Sequence, residues 1–350
     1  MNQRPEVERF AGSLLQVESL YKRFPVTSGV LFQRTSGQIS AVDGVTFSVE
    51  RGETFGLVGE TGCGKSTTGR VIAGFLPPTQ GRVIFDGHEQ LHMNRHPGNR
   101  IAQEIQMIAQ DPYSSLNPRH TVGSILAAPF RYQKVTPEGG VRRAVQYLLE
   151  RVGLSPGDHN RFPDEFSGGQ RQRIAIARAI ALGPRLIVAD EPVSALDVSI
   201  RAQVLNLLDD LQRENGLSYL FISHDLSVVR HIANRVAVMY LGKIVEVADR
   251  DQLYSQPLHP YTHALLSSAP VPDPQTKDRP RIRLQGEVPS PGNPPAGCRF
   301  SPRCWKAQEI CLTLEPQLTG KGRAHEVACH FPEPPVQPGG PAATADQSAN

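Results

Sequence analysis

Residues 54–76 read Thr-Phe-Gly-Leu-Val-Gly-Glu-Thr-Gly-Cys-Gly-Lys-Ser-Thr-Thr-Gly-Arg-Val-Ile-Ala-Gly-Phe-Leu. Thr54–Val58 is mostly apolar and predicts a buried strand, while Thr68–Leu76 has helical spacing interrupted only by Gly69 and Gly74. The turn between them is Gly59-Glu60-Thr61-Gly62-Cys63-Gly64-Lys65-Ser66-Thr67. A glycine-rich turn from strand to helix lets several backbone N–H groups point into one concavity. The helix N-terminus adds its positive dipole end and Lys65 adds a full charge, so the site suits a polyphosphate. Ser66 would place a hydroxyl on the Mg²⁺ that accompanies a nucleotide. Gly59, Gly62 and Gly64 fit close backbone approach and unusual dihedrals.

Working outward, 350 residues suffice for one large α/β domain and an accessory segment. Hydrophobic content of 39% against 20% charged supports a real core, and a net charge of +3 demands neither nucleic acid nor an anionic membrane. The chain lacks an 18-residue apolar run, and Met1–Gln16 lacks a signal-peptide layout, so a cytoplasmic, non-spanning polypeptide is expected. Fourteen of the 30 prolines follow position 270, which places a boundary near 265–275. The stretch 332–350 is expected to be a disordered tail.

Leu14–Leu20 and Ala41–Glu50 predict strands, with Pro25–Ile39 as an inserted loop between them. Arg82–Phe85 before Asp86-Gly87, Ile105–Gln110, Leu186–Ala189 and Tyr219–Ile222 predict further strands. Helical patterning runs from about 121 to 181 and again over Ser199–Glu214, and Val236–Val247 predicts a hairpin turning at Gly242. Strands alternating with helices imply a mainly parallel sheet, an antiparallel N-terminal portion and a helical insertion.

Asp190-Glu191 ends the Leu-Ile-Val-Ala strand, where an α/β sheet presents residues to its ligand crevice. Asp190 would hold Mg²⁺, and Glu191 would polarise the attacking water. Phe166-Ser167-Gly168-Gly169-Gln170 precedes a second helix and repeats the anion-binding device. One nucleotide needs one such cradle, so the spare implies a nucleotide held by another subunit. Gln110 and His224 stand at strand ends where a γ-phosphate or its metal would be sensed. Asp197 follows Ser194-Ala195-Leu196 and carries little signal alone.

In order and spacing these motifs closely resemble the ABC ATPase family over about residues 14–265. The resemblance assigns Walker A to Gly59–Thr67, the Q-loop to Gln110, the signature to Ser167–Gln170, Walker B to Leu186–Glu191, the D-loop to Ser194–Asp197 and the switch histidine to His224. Phe166 stands where leucine is usual. The resemblance implies a head-to-tail dimer with two ATPs sandwiched between Walker A and signature, Glu191 as general base, and Gln110 beside Ser66 and Asp190 at the Mg²⁺. It also implies an aromatic stacked on adenine, best matched by Phe24 and next by Tyr21. The implied domains are an ATPase domain over 1–265, with its helical subdomain at about 121–181, and a small Cys/Pro-rich lobe over 266–331.

Three features select a branch. The chain has one cassette and no fused span. Gln110-Asp111-Pro112-Tyr113-Ser114-Ser115-Leu116-Asn117-Pro118-Arg119 looks like the Q-loop extension of oligopeptide and dipeptide importers. His259-Pro260-Tyr261-Thr262, Leu284–Ser290 and Gly297-Cys298-Arg299-Phe300 resemble that group's C-terminal segment. The implied protein is an ATPase on the cytoplasmic face of the inner membrane, beneath two permease subunits. It would pair with an identical or sister ATPase, be served indirectly by an extracytoplasmic solute-binding protein, and bind no nucleic acid. The alternative is a soluble ABC ATPase of translation or DNA repair, which tandem cassettes or a long coiled coil would favour; the sequence has neither. A binding module without turnover would be expected to lack Glu191 or His224, and both are present.

Cys298, Cys304, Cys311 and Cys329 cluster near the C-terminus. Cytosolic disulfides are disfavoured, so buried reduced thiols, zinc and an iron–sulfur cluster all remain open, although the first spacing is wide for zinc. The family resemblance points to a [4Fe-4S] cluster. Distance in sequence from the phosphate-handling residues leads us to expect a purely structural role for this lobe.

Overall fold

The computed structural model describes residues 12–28, 34–89, 100–268, 282–320 and 325–333. The expected tail therefore lies outside the described residues from 334 onward, as do residues 1–11 of the N-terminal stretch.

Two sheets organise the chain. A four-stranded antiparallel sheet has the order β2-β1-β4-β5, formed by β1 (Leu15–Ser28), β2 (Arg34–Val49), β4 (Gln80–Phe85) and β5 (His88–Glu89). The central sheet has the order β11-β12-β10-β9-β3-β8-β7-β6. Its parallel part is β9 (Arg235–Tyr240), β3 (Thr54–Val58), β8 (Ser218–Ser223), β7 (Leu186–Asp190) and β6 (Ile105–Ile108). β10 (Lys243–Asp249), β12 (His325–Val327) and β11 (Thr319–Gly320) extend it antiparallel. The chain after 281 thus returns to the central sheet through pairing of β12 with β10.

Strand alternation sorts the core into two sides. Phe55, Leu57, Leu186, Val188, Leu220 and Ile222 pack under the antiparallel sheet with Val71 and Ile72 of α1 (Lys65–Ile72). Val58, Ile187, Ala189, Tyr219 and Phe221 face the other way. That second side packs against the helical region, comprising α4 (Val122–Gln133), α5 (Gly140–Arg151), α6 (Gly168–Ile180), α7 (Val198–Asn215) and α8 (Leu226–Ile232). Short helices α2 (Arg100–Glu104) and α3 (Pro112–Ser115) flank β6. The central strands are buried on both faces, which is why they read as continuous apolar runs.

The sequence expectation differs from the structure at Pro25–Ile39. β1 runs to Ser28 and β2 starts at Arg34, paired through Phe24↔Ile39 and Ser28↔Arg34, with register shifts near Val26/Thr27. Pro25 and Gly37 suggested a loop, yet a ribbon broken by bulges accommodates both residues.

Candidate nucleotide site

Four neighbouring strands deliver the site at their C-terminal ends. β3 leads into the phosphate loop, β8 into His224, β7 into Asp190 and Glu191, and β6 into Gln110 two residues beyond Ile108. The loop needs glycine at two crowded places. A Cβ at Gly59 would lie 2.1 Å from the Met239 carbonyl oxygen, and one at Gly64, whose φ is 110°, would lie 2.1 Å from the Ala41 carbonyl oxygen. The helix α1 that follows has no acidic residue in its first turn, which leaves its positive end uncompensated.

The structure joins most of the sequence-selected residues into one network. Ser66 donates its hydroxyl to Asp190 Oδ1 at 2.8 Å. Gln110 Nε2 donates to Glu191 Oε2 at 2.9 Å, and His224 Nδ1 lies 3.0 Å from Glu191 Oε1. Glu191 is a non-glycine residue at φ 48°, held there by its amide N–H on the Ile222 carbonyl at 2.9 Å. That left-handed conformation turns the carboxylate out of the strand direction toward Gln110 and His224, and its cost is typical of functional positions. Asp190 is buried, which raises its carboxyl above the ordinary value against the lowering effect of the Ser66 hydroxyl. The Lys65 ammonium is buried and donates to the Gly59 and Glu60 carbonyls at 2.8 and 3.0 Å. The Cys63 thiol is also buried, which pushes its pKa up, and Lys65 lies 3.8 Å from its sulfur.

Phe24 is 36% exposed with Lys22 Nζ 5.1 Å from its ring centre, and it pairs with Ile39, two residues from the Ala41 that abuts Gly64. Tyr21 instead lies against Gly44 and lines a separate cavity of about 420 Å³ with Asp43, Lys243 and Arg299.

Ser167 caps α6: its Oγ accepts from the Gln170 amide at 3.3 Å, and its own amide donates to Gln170 Oε1 at 3.0 Å. Ile200 crowds Gly169, where a Cβ would lie 2.4 Å from Cγ2. Among the described residues no hydrogen bond or ion pair joins Ser167–Gln170 to the phosphate loop. Asp197 is exposed at the N-cap of α7 beside Val198, itself 80% exposed.

The four C-terminal cysteines line one cavity with His259 and Phe300. Its volume is about 10 Å³, room for about one water. Burial pushes the Cys298 and Cys304 thiols up, and Cys329 up to about 11. His259 is 1% exposed; burial pulls its pKa down to about 4, so it is neutral. Its Nδ1 accepts the Tyr261 amide at 3.0 Å, which puts the proton on Nε2, and that atom is buried with no protein partner. The donor set thus fits a thiolate-bound group in kind. In spacing, no three His, Cys, Asp or Glu side chains among the described residues are arranged to hold a metal ion as they stand.

Sequence reasoning set Arg299 and Arg303 beside the cysteines, where they could offset thiolate charge, and did not connect Arg303 or Tyr261 with the phosphate loop that they grip from outside. The Arg303 guanidinium makes a bidentate pair with Glu60, at 2.9 Å to Oε2 and 3.2 Å to Oε1, and Tyr261 Oη accepts the Glu60 amide at 2.9 Å. Arg299 reaches Asp43 and the Leu241 carbonyl. The lobe judged remote by sequence therefore touches the second residue of the loop, and only the fold could reveal that contact.

Residues 42–194 match the family model described as ABC transporter, and residues 245–311 match that described as Oligopeptide/dipeptide transporter, C-terminal region. The chain is 52% identical over 321 residues to the oligopeptide transport ATP-binding protein AppF of Bacillus subtilis, covering 91% of this chain and 97% of that protein. It is 51% identical to the dipeptide transport ATP-binding protein DppF of Haemophilus influenzae, with 90% and 96% covered. It is 50% identical to the oligopeptide transport ATP-binding protein OppF of Salmonella typhimurium, with 90% and 95% covered. Among solved structures, the dimeric post-hydrolysis state of the ATP-binding cassette MJ0796, bound to ADP and Pi, aligns with a TM-score of 0.59. The identity there is 26%, over 67% of this chain and 98% of that one.

Proposed function

The chain belongs to the ABC transporter ATP-binding proteins of the oligopeptide/dipeptide group, and from that premise we propose how its residues bind ATP, hydrolyse it and couple turnover to a permease. It is the ATP-hydrolysing subunit of an ABC importer for oligopeptides or dipeptides. The observation that carries the catalytic reading is the Glu191 carboxylate held between Gln110 and His224, beside the Ser66–Asp190 contact.

Gly59, Thr61, Gly62, Cys63, Gly64 and Thr67 would wrap the phosphates with backbone N–H groups, Glu60 completes the loop with its own amide taken by Tyr261, and Lys65 presents its ammonium to the β- and γ-phosphates. Ser66, Asp190 and Gln110 would hold Mg²⁺, which neutralises charge developing on the phosphate oxygens. Glu191 accepts a proton from water as the water oxygen bonds to γ-phosphorus and the bond to the ADP oxygen breaks. His224 orients that water and the γ-phosphate. Phe24 stacks on adenine. Ser167, Gly168, Gly169 and Gln170 close over the ATP of a second cassette, identical or sister, and exposed Asp197 meets that cassette at the same face.

The Q-loop region, Gln110–Arg119, would receive the coupling helix of a permease subunit. Among the described residues no helix is long and apolar enough to cross a membrane. As in the transport systems of its relatives, the subunit would sit peripherally on the cytoplasmic face of the inner membrane, under two permeases served by an extracytoplasmic binding protein. Cys298, Cys304, Cys311 and Cys329 would hold a [4Fe-4S] cluster, or zinc in its place, which would cross-link a lobe with little apolar core. The His259 Nε2–H is a donor available to a sulfur there.

The test is uptake of a labelled tripeptide by cells carrying the wild-type chain or Glu191→Gln as the sole copy. Loss of uptake in the variant supports the reading, and uptake at the wild-type rate overturns it.

A further inference from the structure

Glu60 is fixed at three points. Its side chain is paired with Arg303, its amide donates to Tyr261 Oη, and its carbonyl accepts from Lys65 Nζ. The first two holds come from the two segments, around His259 and around Cys298–Cys304, that help line the cysteine-rich cavity. Arg303 lies on the Ser301–Arg303 turn, between Cys298 and Cys304, and the turn is closed by Ser301 N–H on the Cys298 carbonyl at 3.0 Å and Cys304 N–H on the Ser301 carbonyl at 3.3 Å. Tyr261 is tied through its amide to His259, which lines the same cavity. An aromatic cluster joins the two arms: Tyr240, Tyr261 and Phe300 have ring centres 4.7 to 5.4 Å apart, and the Arg303 guanidinium lies over Tyr240 at 6.0 Å. The arms are stiff. Tyr261 and Phe300 are essentially unexposed, and the Arg303 side chain is only 9% exposed.

We propose that Arg303 and Tyr261 are positioning residues for the phosphate loop, so that the cysteine-lined lobe sets the affinity for ATP through Glu60. The inference rests on the reading of Gly59–Thr67 as the ATP site. The Glu60 carbonyl is one of the two oxygens holding the Lys65 ammonium, so a displaced Glu60 moves the charge that meets the phosphates. A bidentate guanidinium–carboxylate pair fixes orientation as well as distance, which a lysine in its place would not. A disturbance of the cavity, by loss of a thiolate-bound group or oxidation of the thiols, would reach the loop by the same two arms.

The experiment measures equilibrium binding of MgATP, with kcat at saturating ATP and thermal melting, for wild type, Arg303→Ala, Arg303→Lys, Tyr261→Phe and Lys65→Ala. Arg303→Ala is expected to raise Kd about tenfold. Arg303→Lys is expected to restore only part of that, and Tyr261→Phe to raise Kd about threefold. In each, kcat per binding-competent site should fall by much less than Kd rises. An Arg303→Ala protein that melts normally and binds ATP within twofold of wild type overturns the proposal. So does a drop in the active fraction at unchanged Kd, because a merely structural contact would act that way. If Arg303→Ala does not fold, Tyr261→Phe, which loses one hydroxyl, decides the matter by the same comparison. If wild type itself shows no saturable binding, or binds no better than Lys65→Ala, the ATP-site reading has failed instead.

Discussion

Glu191→Gln keeps the shape of the side chain and removes its charge and its ability to take a proton. In the structure Oε2 accepts from Gln110 at 2.9 Å, and Oε1 faces His224 Nδ1 at 3.0 Å. The amide can keep its oxygen toward Gln110 and turn its NH₂ toward His224, whose ring accepts at Nδ1 in the other neutral tautomer. Both hydrogen bonds survive, so folding stability should change by no more than about 1 kcal/mol. Loss of a general base costs about 10²- to 10⁴-fold in rate, or roughly 3 to 5.5 kcal/mol of barrier. Chemistry and folding are thereby separated by several kcal/mol. Single-turnover hydrolysis of γ-labelled ATP, run beside nucleotide binding and thermal melting, reads both. We expect ATP retained, phosphate release at least about a hundredfold slower, and a Tm within about 4 °C of wild type. Turnover above a tenth of wild type at saturating ATP would mean that another group takes the proton.

Lys65→Ala should weaken ATP binding or turnover by about a hundredfold or more, because the buried ammonium is poised on two loop carbonyls; a nucleotide-binding titration checks it. Gly69→Ala should destabilise the chain by about 1–3 kcal/mol in denaturant unfolding, since its Cβ would lie 2.7 Å from Ile222 Cδ1 and 2.9 Å from Val188 Cγ1. Burial lowers the His259 pKa to about 4 from an ordinary 6.5. Between those values the unfolded chain binds the extra proton, so stability is full above pH 6.5 and falls on acidification toward pH 4, by about 3 kcal/mol in all. Denaturant unfolding across that range should show the slope in wild type and a flatter one in His259→Gln. Serine at Cys298, Cys304, Cys311 and Cys329 together should lower the Tm of the chain and abolish any stoichiometric iron or zinc measured by elemental analysis; an unchanged melting profile with no metal in wild type would remove the cross-link.

What the sequence disclosed was local. The phosphate loop is contiguous, and its glycines and Lys65 act within nine residues, so chemistry and spacing coincide. Asp190 and Glu191 were legible because a buried apolar run ends on them. Gln110 and His224 were legible only as polar strand ends, and it took the strand order β3-β8-β7-β6 to bring them onto one carboxylate. The Pro25–Ile39 ribbon was hidden because bulges break its alternation. Arg303 and Tyr261 were not readable at all as partners of Glu60. They lie 243 and 201 residues away, and an arginine beside a cysteine carries no mark of its target. The cysteines likewise gave their number but not their convergence, since gaps of five, six and 17 residues fit no compact ligand motif.

The central claim is that ATP hydrolysis here drives a peptide permease, and affinity purification from detergent-solubilised membranes tests it most directly. The account predicts that mass spectrometry of the retained material finds two multi-span permease subunits, with or without a second ATPase. Recovery of ribosomal or DNA-repair proteins from the soluble fraction, with no permease retained, would contradict it.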